Sequence, residues 1–197
     1  MAFKDLAESA EVGGRHRDRL IAVYIASLAV ALAICSVGGG NSMKDATARN
    51  IEAANAWAFF QAKNIRRNDV RLAIDGLELR LATEANLPDA ARAAITDNIK
   101  KHREHEARLT SEPDTGEGLK ELMARGKSLE IQRDRAMRKD PYFDYGQALL
   151  QIAIVLASVA IITGGSILLL LSGILASAGL ALTINGFTLF FTVPFIG

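Results

Sequence analysis

The sequence is poor in cysteine and proline and is nearly neutral, and each of these shortages excludes a class of protein. Its single cysteine, Cys35, rules out an intramolecular disulfide. Alternation of apolar with polar residues is scarce, and the helix formers Ala, Leu, Glu, Lys and Arg dominate, so we predict an all-α fold. The formal net charge of +1 leaves no basic footprint, and we therefore expect no nucleic-acid partner.

Charge is absent from two long stretches of the chain. From Tyr145 to Gly197 there is no Asp, Glu, Lys, Arg or His, and the stretch from Leu20 to Met43 is also uncharged. Charges of both signs recur throughout residues 44–144. This partition predicts an integral membrane protein with a polar domain.

We predict three transmembrane helices, one N-terminal and two in a C-terminal hairpin. A polar arm (1–19) precedes the first span (20–40), and an apolar tail (188–197) follows the third. The second span (146–163) begins at a capping-box pattern, Asp144 with Gln147, and a TGGS turn joins it to the third (167–187). Each span has about the 20 residues that cross a bilayer.

The basic residues that flank the first span indicate the orientation. Arg15, Arg17 and Arg19 favour a cytoplasmic N-terminus, although Arg133 and Arg135 before the second span favour the opposite. We expect a multi-pass membrane protein, surrounded by lipid, with its N-terminus in the cytoplasm and its central domain on the opposite side of the membrane.

The charged domain (41–144) is predicted to contain helices at about 43–86, 88–110 and 117–139, the first of them coiled-coil-like. That first helix either starts near Asn41 or continues from the first span. An apolar residue recurs at every seventh position of it, at Ile51, Ala58, Ile65, Leu72 and Leu79. The complementary position is mostly polar, at Ala54, Gln61, Asn68, Asp75 and Ala82. The pattern predicts a small helix bundle with a polar seam, formed either within one chain or between chains.

The segment NAWAFFQAKNIRR, from Asn55 to Arg67, concentrates aromatic and basic residues on this helix. Two readings are open: aromatic packing between helices, or a recognition patch for a protein partner. Together with the seven-residue pattern it gives the predicted interface residues: Ile51, Trp57, Phe60, Gln61, Lys63, Ile65, Arg66, Leu72 and Leu79.

Within the predicted spans no ionisable side chain lies near the middle, which argues against a proton-coupled transporter. Gln151, Ser158 and Asn185 are the expected polar contacts between spans. Small residues four positions apart, such as Gly179 and Thr183, permit close helix packing.

One cluster resembles a metal site, since His102, His105 and Glu106 share a helix face. Its flanks are strongly charged, with Lys100, Lys101, Arg103 and Arg108 close by, as in a solvated helix. We therefore expect no metal, no cofactor and no catalytic residue.

The chain resembles the bacterial membrane family of domain of unknown function 4337. The resemblance is carried by the arginine-rich start, by Trp57, Gln61, Ala62, Lys63 and Arg66, and by DYGQALLQIAIVLASVAIIT before the last span. It implies three spans and no known activity. Family members often carry basic residues between the last two spans, whereas TGGS is neutral here.

The leading hypothesis is a non-enzymatic membrane protein, either a self-assembling scaffold (a homo-oligomer) or an accessory subunit of a larger membrane complex. An alternative is a pore or transport accessory lined by Gln151, Ser158, Thr183 and Asn185. A second alternative is a metal-binding membrane enzyme at His102, His105 and Glu106.

Overall fold

The computed structural model of the chain describes residues 2–193 and the side chains of residues 16–193. Within that range the chain forms five helices and no strand, which confirms the prediction of an all-α fold. The helices are α1 (Ala2–Thr83), α2 (Asp89–Thr110), α3 (Leu119–Met137), α4 (Asp140–Thr163) and α5 (Ser166–Thr188).

The chain divides into two compact units. The membrane unit, as we name it, combines the residues up to Ala46 with those from Asp134 onward, and the polar unit is Thr47–Arg133. Three helices contain a stretch long and apolar enough to cross a membrane, and these stretches belong to α1, α4 and α5.

Helix α1 passes through three consecutive glycines without a break. Of the two alternatives for the polar helix, α1 follows the second, because it continues beyond Asn41 and ends at Thr83. Gly38 and Gly39 leave space for an aromatic ring of α4. A Cβ atom would lie 2.5 Å from Phe143 Cε1 at Gly38, and 3.1 Å from Phe143 Cβ at Gly39.

We expect Gly38→Ala to destabilise the membrane unit and Gly40→Ala to stabilise it. At Gly38 the new methyl group would collide with the rings of Phe143 and Phe187. Overpacking costs about 1–3 kcal/mol, and helix propensity returns only about 1 kcal/mol. At Gly40 no atom lies within 4 Å of the added group, so only the propensity gain operates. Thermal unfolding followed by circular dichroism in one detergent measures both variants, and shifts of the same sign would contradict the packing role.

Helix α4 begins earlier than the capping-box pattern predicts. The prediction that Asp144 caps the helix is wrong, since α4 begins at Asp140 and Asp144 lies inside it. Pro141 occupies the first turn, where its missing N–H removes no intrahelical hydrogen bond. Tyr142 and Phe143 are therefore helical, and both are buried.

Helices α4 and α5 form a hairpin around the TGGS turn. Gly164 ends α4 with φ +66°, a left-handed conformation that favours glycine. A Cβ atom at Gly146 would lie 3.2 Å from the Gly179 carbonyl oxygen and 3.0 Å from Thr183 Oγ1. The predicted small-residue pair, Gly179 and Thr183, thus lies at a close approach of α4 and α5. The Arg17 guanidinium donates to the Gly164 carbonyl at 2.9 Å.

In the polar unit, two apolar clusters attach the shorter helices to α1. One joins α1 to α3 and contains Ala53, Ala56 and Leu129. The other joins α1 to α2 and contains Ile74, Ile95 and Ile99. One side of α1 is therefore occupied by its own chain.

Candidate functional site

Helix α1 has a second apolar face in the polar unit, opposite the buried one. We name it the exposed stripe: Ile51, Ala58, Ile65, Leu72 and Leu79. Its large side chains have exposed fractions of 56% (Ile51), 62% (Ile65), 69% (Leu72) and 64% (Leu79). At 1.5 Å per residue the stripe is about 42 Å long. No described part of the chain covers it, and the predicted interface residues Gln61 and Arg66 beside it are also exposed.

Trp57, in contrast, packs inside its own chain, between α1 and α3. Its indole N–H donates to Glu130 Oε1 at 2.9 Å. Its ring meets Phe60 edge-on, with centroids 5.6 Å apart. Gly126 of α3 makes room for the indole, because a Cβ atom there would lie 2.9 Å from it. Of the two readings of the aromatic segment, packing between helices therefore describes Trp57 and Phe60.

Lys63 is likewise held by its own chain. Its ammonium group lies 3.7 Å from the Glu117 carboxylate and 3.9 Å from that of Glu112. The same group sits 5.5 Å from the centroid of the Phe59 ring, within range of a cation–π interaction. The predicted interface set thus separates into an internal group around Trp57, the residues of the exposed stripe, and two exposed residues beside it, Gln61 and Arg66.

The residues His102, His105 and Glu106 lie on α2 without forming a metal centre. Glu106 accepts a hydrogen bond from the Arg71 guanidinium of α1, so its carboxylate is already paired. Among the described residues, no three His, Cys, Asp or Glu side chains are grouped so that they could hold a metal ion.

The polar residues predicted to join the spans make other contacts. Asn185 Nδ2 donates to the Phe191 carbonyl at 2.8 Å, and Asn185 Oδ1 accepts from the Phe191 N–H at 2.9 Å. Ser158 donates to the Ile154 carbonyl of its own helix at 2.8 Å. Gln151 is exposed and has no hydrogen-bond partner in the described chain. For Asn185 and Ser158, nearby backbone groups take the place of the predicted partners in other spans, since such groups compete for short polar side chains. For Gln151, the contact between spans stays a prediction.

Hydrogen bonds between the spans use residues that the sequence reasoning missed. Tyr24 of α1 bonds to Ser172 of α5 at 3.1 Å, and Ser172 donates to the Ala153 carbonyl of α4 at 2.7 Å. The Cys35 thiol donates to the Phe143 carbonyl at 3.3 Å. A signal for Ser172 was present, since it precedes Gly179 by seven residues and so shares its helix face.

Comparison with known proteins identifies a family. A family model described as a domain of unknown function, DUF4337, matches residues 17–189. No curated protein and no solved structure matches the chain significantly. The match runs from the start of the first span into the tail beyond α5.

Proposed function

The chain belongs to the DUF4337 family, whose function is unknown, and we propose that it is a non-enzymatic membrane protein that assembles through its long helix. It acts as a self-assembling scaffold or as an accessory subunit of a larger membrane complex. The resemblance to bacterial membrane proteins supports a location in the bacterial inner membrane.

The observation that carries this proposal is the exposed stripe. Four large apolar side chains are exposed in one row along α1, and exposed apolar surface of this kind often marks a site of protein–protein interaction. Full burial of one Ile or Leu side chain stabilises by about 1.5–3 kcal/mol. The stripe contains four such side chains and only apolar residues, which suits association and offers no reactive group.

The arginines before the first span support the proposed orientation. Arg15, Arg17 and Arg19 lie within a few residues of its start, and such residues are retained on the cytoplasmic side. The polar unit is long enough to be translocated largely regardless of its charge. We therefore place the N-terminus in the cytoplasm and the polar unit in the periplasm.

Polar substitution of the stripe should abolish assembly and leave the protomer folded. We expect the double variant Ile65→Asn/Leu72→Asn to associate at least about 100-fold more weakly, since two buried apolar contacts are lost. Native mass spectrometry in mild detergent measures the copy number, and circular dichroism confirms the helix content.

The matched control places asparagine one residue after two stripe residues, as Ala73→Asn/Arg80→Asn, at exposed positions outside the predicted interface set. This control should assemble like the parent chain. A parent chain that remains a single copy without any partner, both in mild detergent and in lipid nanodiscs, would overturn the proposal.

A further inference from the structure

A partner for the exposed stripe must itself present an apolar residue at every seventh position. The partner's side chains can then enter the gaps between successive stripe residues along the whole length of the stripe. A second copy of α1 satisfies this requirement with the same residues, from Ile51 to Leu79. A second copy as the partner rests on the proposed function, assembly through the long helix.

The membrane segment of α1 has its own line of exposed apolar residues at the same spacing. Val23, Val30 and Val37 have exposed fractions of 68%, 61% and 63%. An exposed small residue follows each valine by three positions, at Ala26, Ala33 and Gly40. Such alternation of valine with small residues lets two membrane helices approach closely.

The valine line and the stripe share one phase in the sequence. Val37 precedes Ile51 by two seven-residue steps, and Lys44 occupies the step between them. The stem of an exposed lysine can pack against a neighbouring helix while its ammonium group stays in water. The valine line and the stripe therefore follow one seven-residue repeat, which stays on a single side of α1 only when two such helices wind around each other in a left-handed supercoil.

We propose that α1 pairs with α1 of a second copy, parallel and in register, so that each stripe residue meets its own counterpart. Copies inserted with one topology cross the bilayer in the same direction, so their first spans run parallel. Pairing along the valine line then brings identical residues to the same level. The result is a closed two-fold contact, the commonest arrangement of homo-oligomers.

Polar residues beside the stripe favour this register and limit the affinity of the two α1 helices for each other. Gln61 and Asn68 each lie four residues before a stripe residue, and in a parallel pair each amide meets its own copy. A single polar layer of this kind specifies register in coiled coils, at a cost in stability. Asp75 lies at the next equivalent position, seven residues after Asn68. In a parallel pair, its carboxylate therefore faces the carboxylate of its own copy, and the two repel each other. Asp75→Asn should therefore tighten the pairing several-fold.

Thiol cross-linking of the full-length protein in liposomes tests the proposal. The native Cys35 is fully buried and bonded to the Phe143 carbonyl, so it does not react. Leu72→Cys should form a disulfide-linked dimer of the chain under mild oxidation. Ala73→Cys, one residue away, should cross-link at least about ten-fold more slowly, because its thiols lie too far apart for a disulfide.

Other outcomes overturn the proposal in distinguishable ways. If Leu72→Cys cross-links only to added Ala58→Cys chains, the helices are antiparallel and the proposed register is wrong. If neither cysteine cross-links while native mass spectrometry still finds an oligomer, α1 pairing fails and the assembly function survives. A protein that stays a single copy in both experiments overturns both. An unchanged dimer fraction in Asp75→Asn would also contradict the register.

Discussion

Replacing Phe143 by alanine is expected to lower the stability of the membrane unit by about 4 kcal/mol. The side chain is 1% exposed. Its ring occupies the space left by Gly38 and Gly186 and meets the Phe187 ring edge-on, with centroids 4.9 Å apart. Because three helices meet around this ring, none of them can close the cavity without shifting the others.

The control for this substitution is a phenylalanine that contributes little packing. Phe190 is 80% exposed, so Phe190→Ala should leave the unfolding temperature nearly unchanged. Thermal unfolding in one detergent, followed by circular dichroism, compares the two variants directly. Equal losses of stability would show that Phe143 is not the centre of helix packing.

Replacing Trp57 by alanine is expected to destabilise the polar unit by about 3 kcal/mol. The variant loses the hydrogen bond to Glu130 and the edge-on contact with Phe60. It also leaves a cavity beside Gly126. The effect should appear as earlier unfolding and faster proteolysis of the polar unit, because Trp57 packs within its own chain.

Leu72→Ala is expected to have the opposite effects to Trp57→Ala, on assembly and not on folding. Leu72 is 69% exposed, so its removal should hardly change resistance to proteolysis while it weakens assembly. Limited proteolysis and native mass spectrometry on both variants separate folding from association. A Trp57→Ala chain that resists proteolysis like the parent but no longer assembles would show that the indole belongs to an intermolecular contact.

The three helices that are long and apolar enough to cross a membrane could be predicted from the sequence, because a span in lipid requires a local run of apolar residues. Such a run is visible without knowing what packs against it. The hairpin turn is local too, since Gly164 adopts the left-handed conformation that the TGGS sequence favours. Pro88 directly precedes α2, another boundary that the chain marks locally.

The partner of each α1 face could not be predicted from the sequence. The stripe has large apolar side chains at regular seven-residue spacing, such as Ile65 and Leu72, whereas the buried face mixes the small Ala53 and Ala56 with Ile74. Periodicity therefore selects the stripe as the interface. It cannot tell that α2 and α3 dock on the other side, because docking depends on contacts between residues far apart in the sequence.

The hydrogen-bond partners of the polar side chains in the spans could not be predicted from the sequence either. Asn185 and Ser158 have the chemistry for contacts between helices, yet each finds an acceptor close by in its own chain. Ser172 does join two helices, because it lies on the face of α5 that packs against α4 and α1. The deciding factor is which helix face is buried.

The hydrogen bond from Arg17 to the Gly164 carbonyl has a consequence for membrane topology. The turn between α4 and α5 has no charge of its own, and a guanidinium from 147 residues earlier in the chain supplies one. The cation also offsets the negative end of the α4 dipole. In the proposed topology, this bond places the start of the first span and the turn at the same membrane surface. Chemical labelling of either segment therefore identifies the compartment of the other, which is the cytoplasm in the proposed orientation.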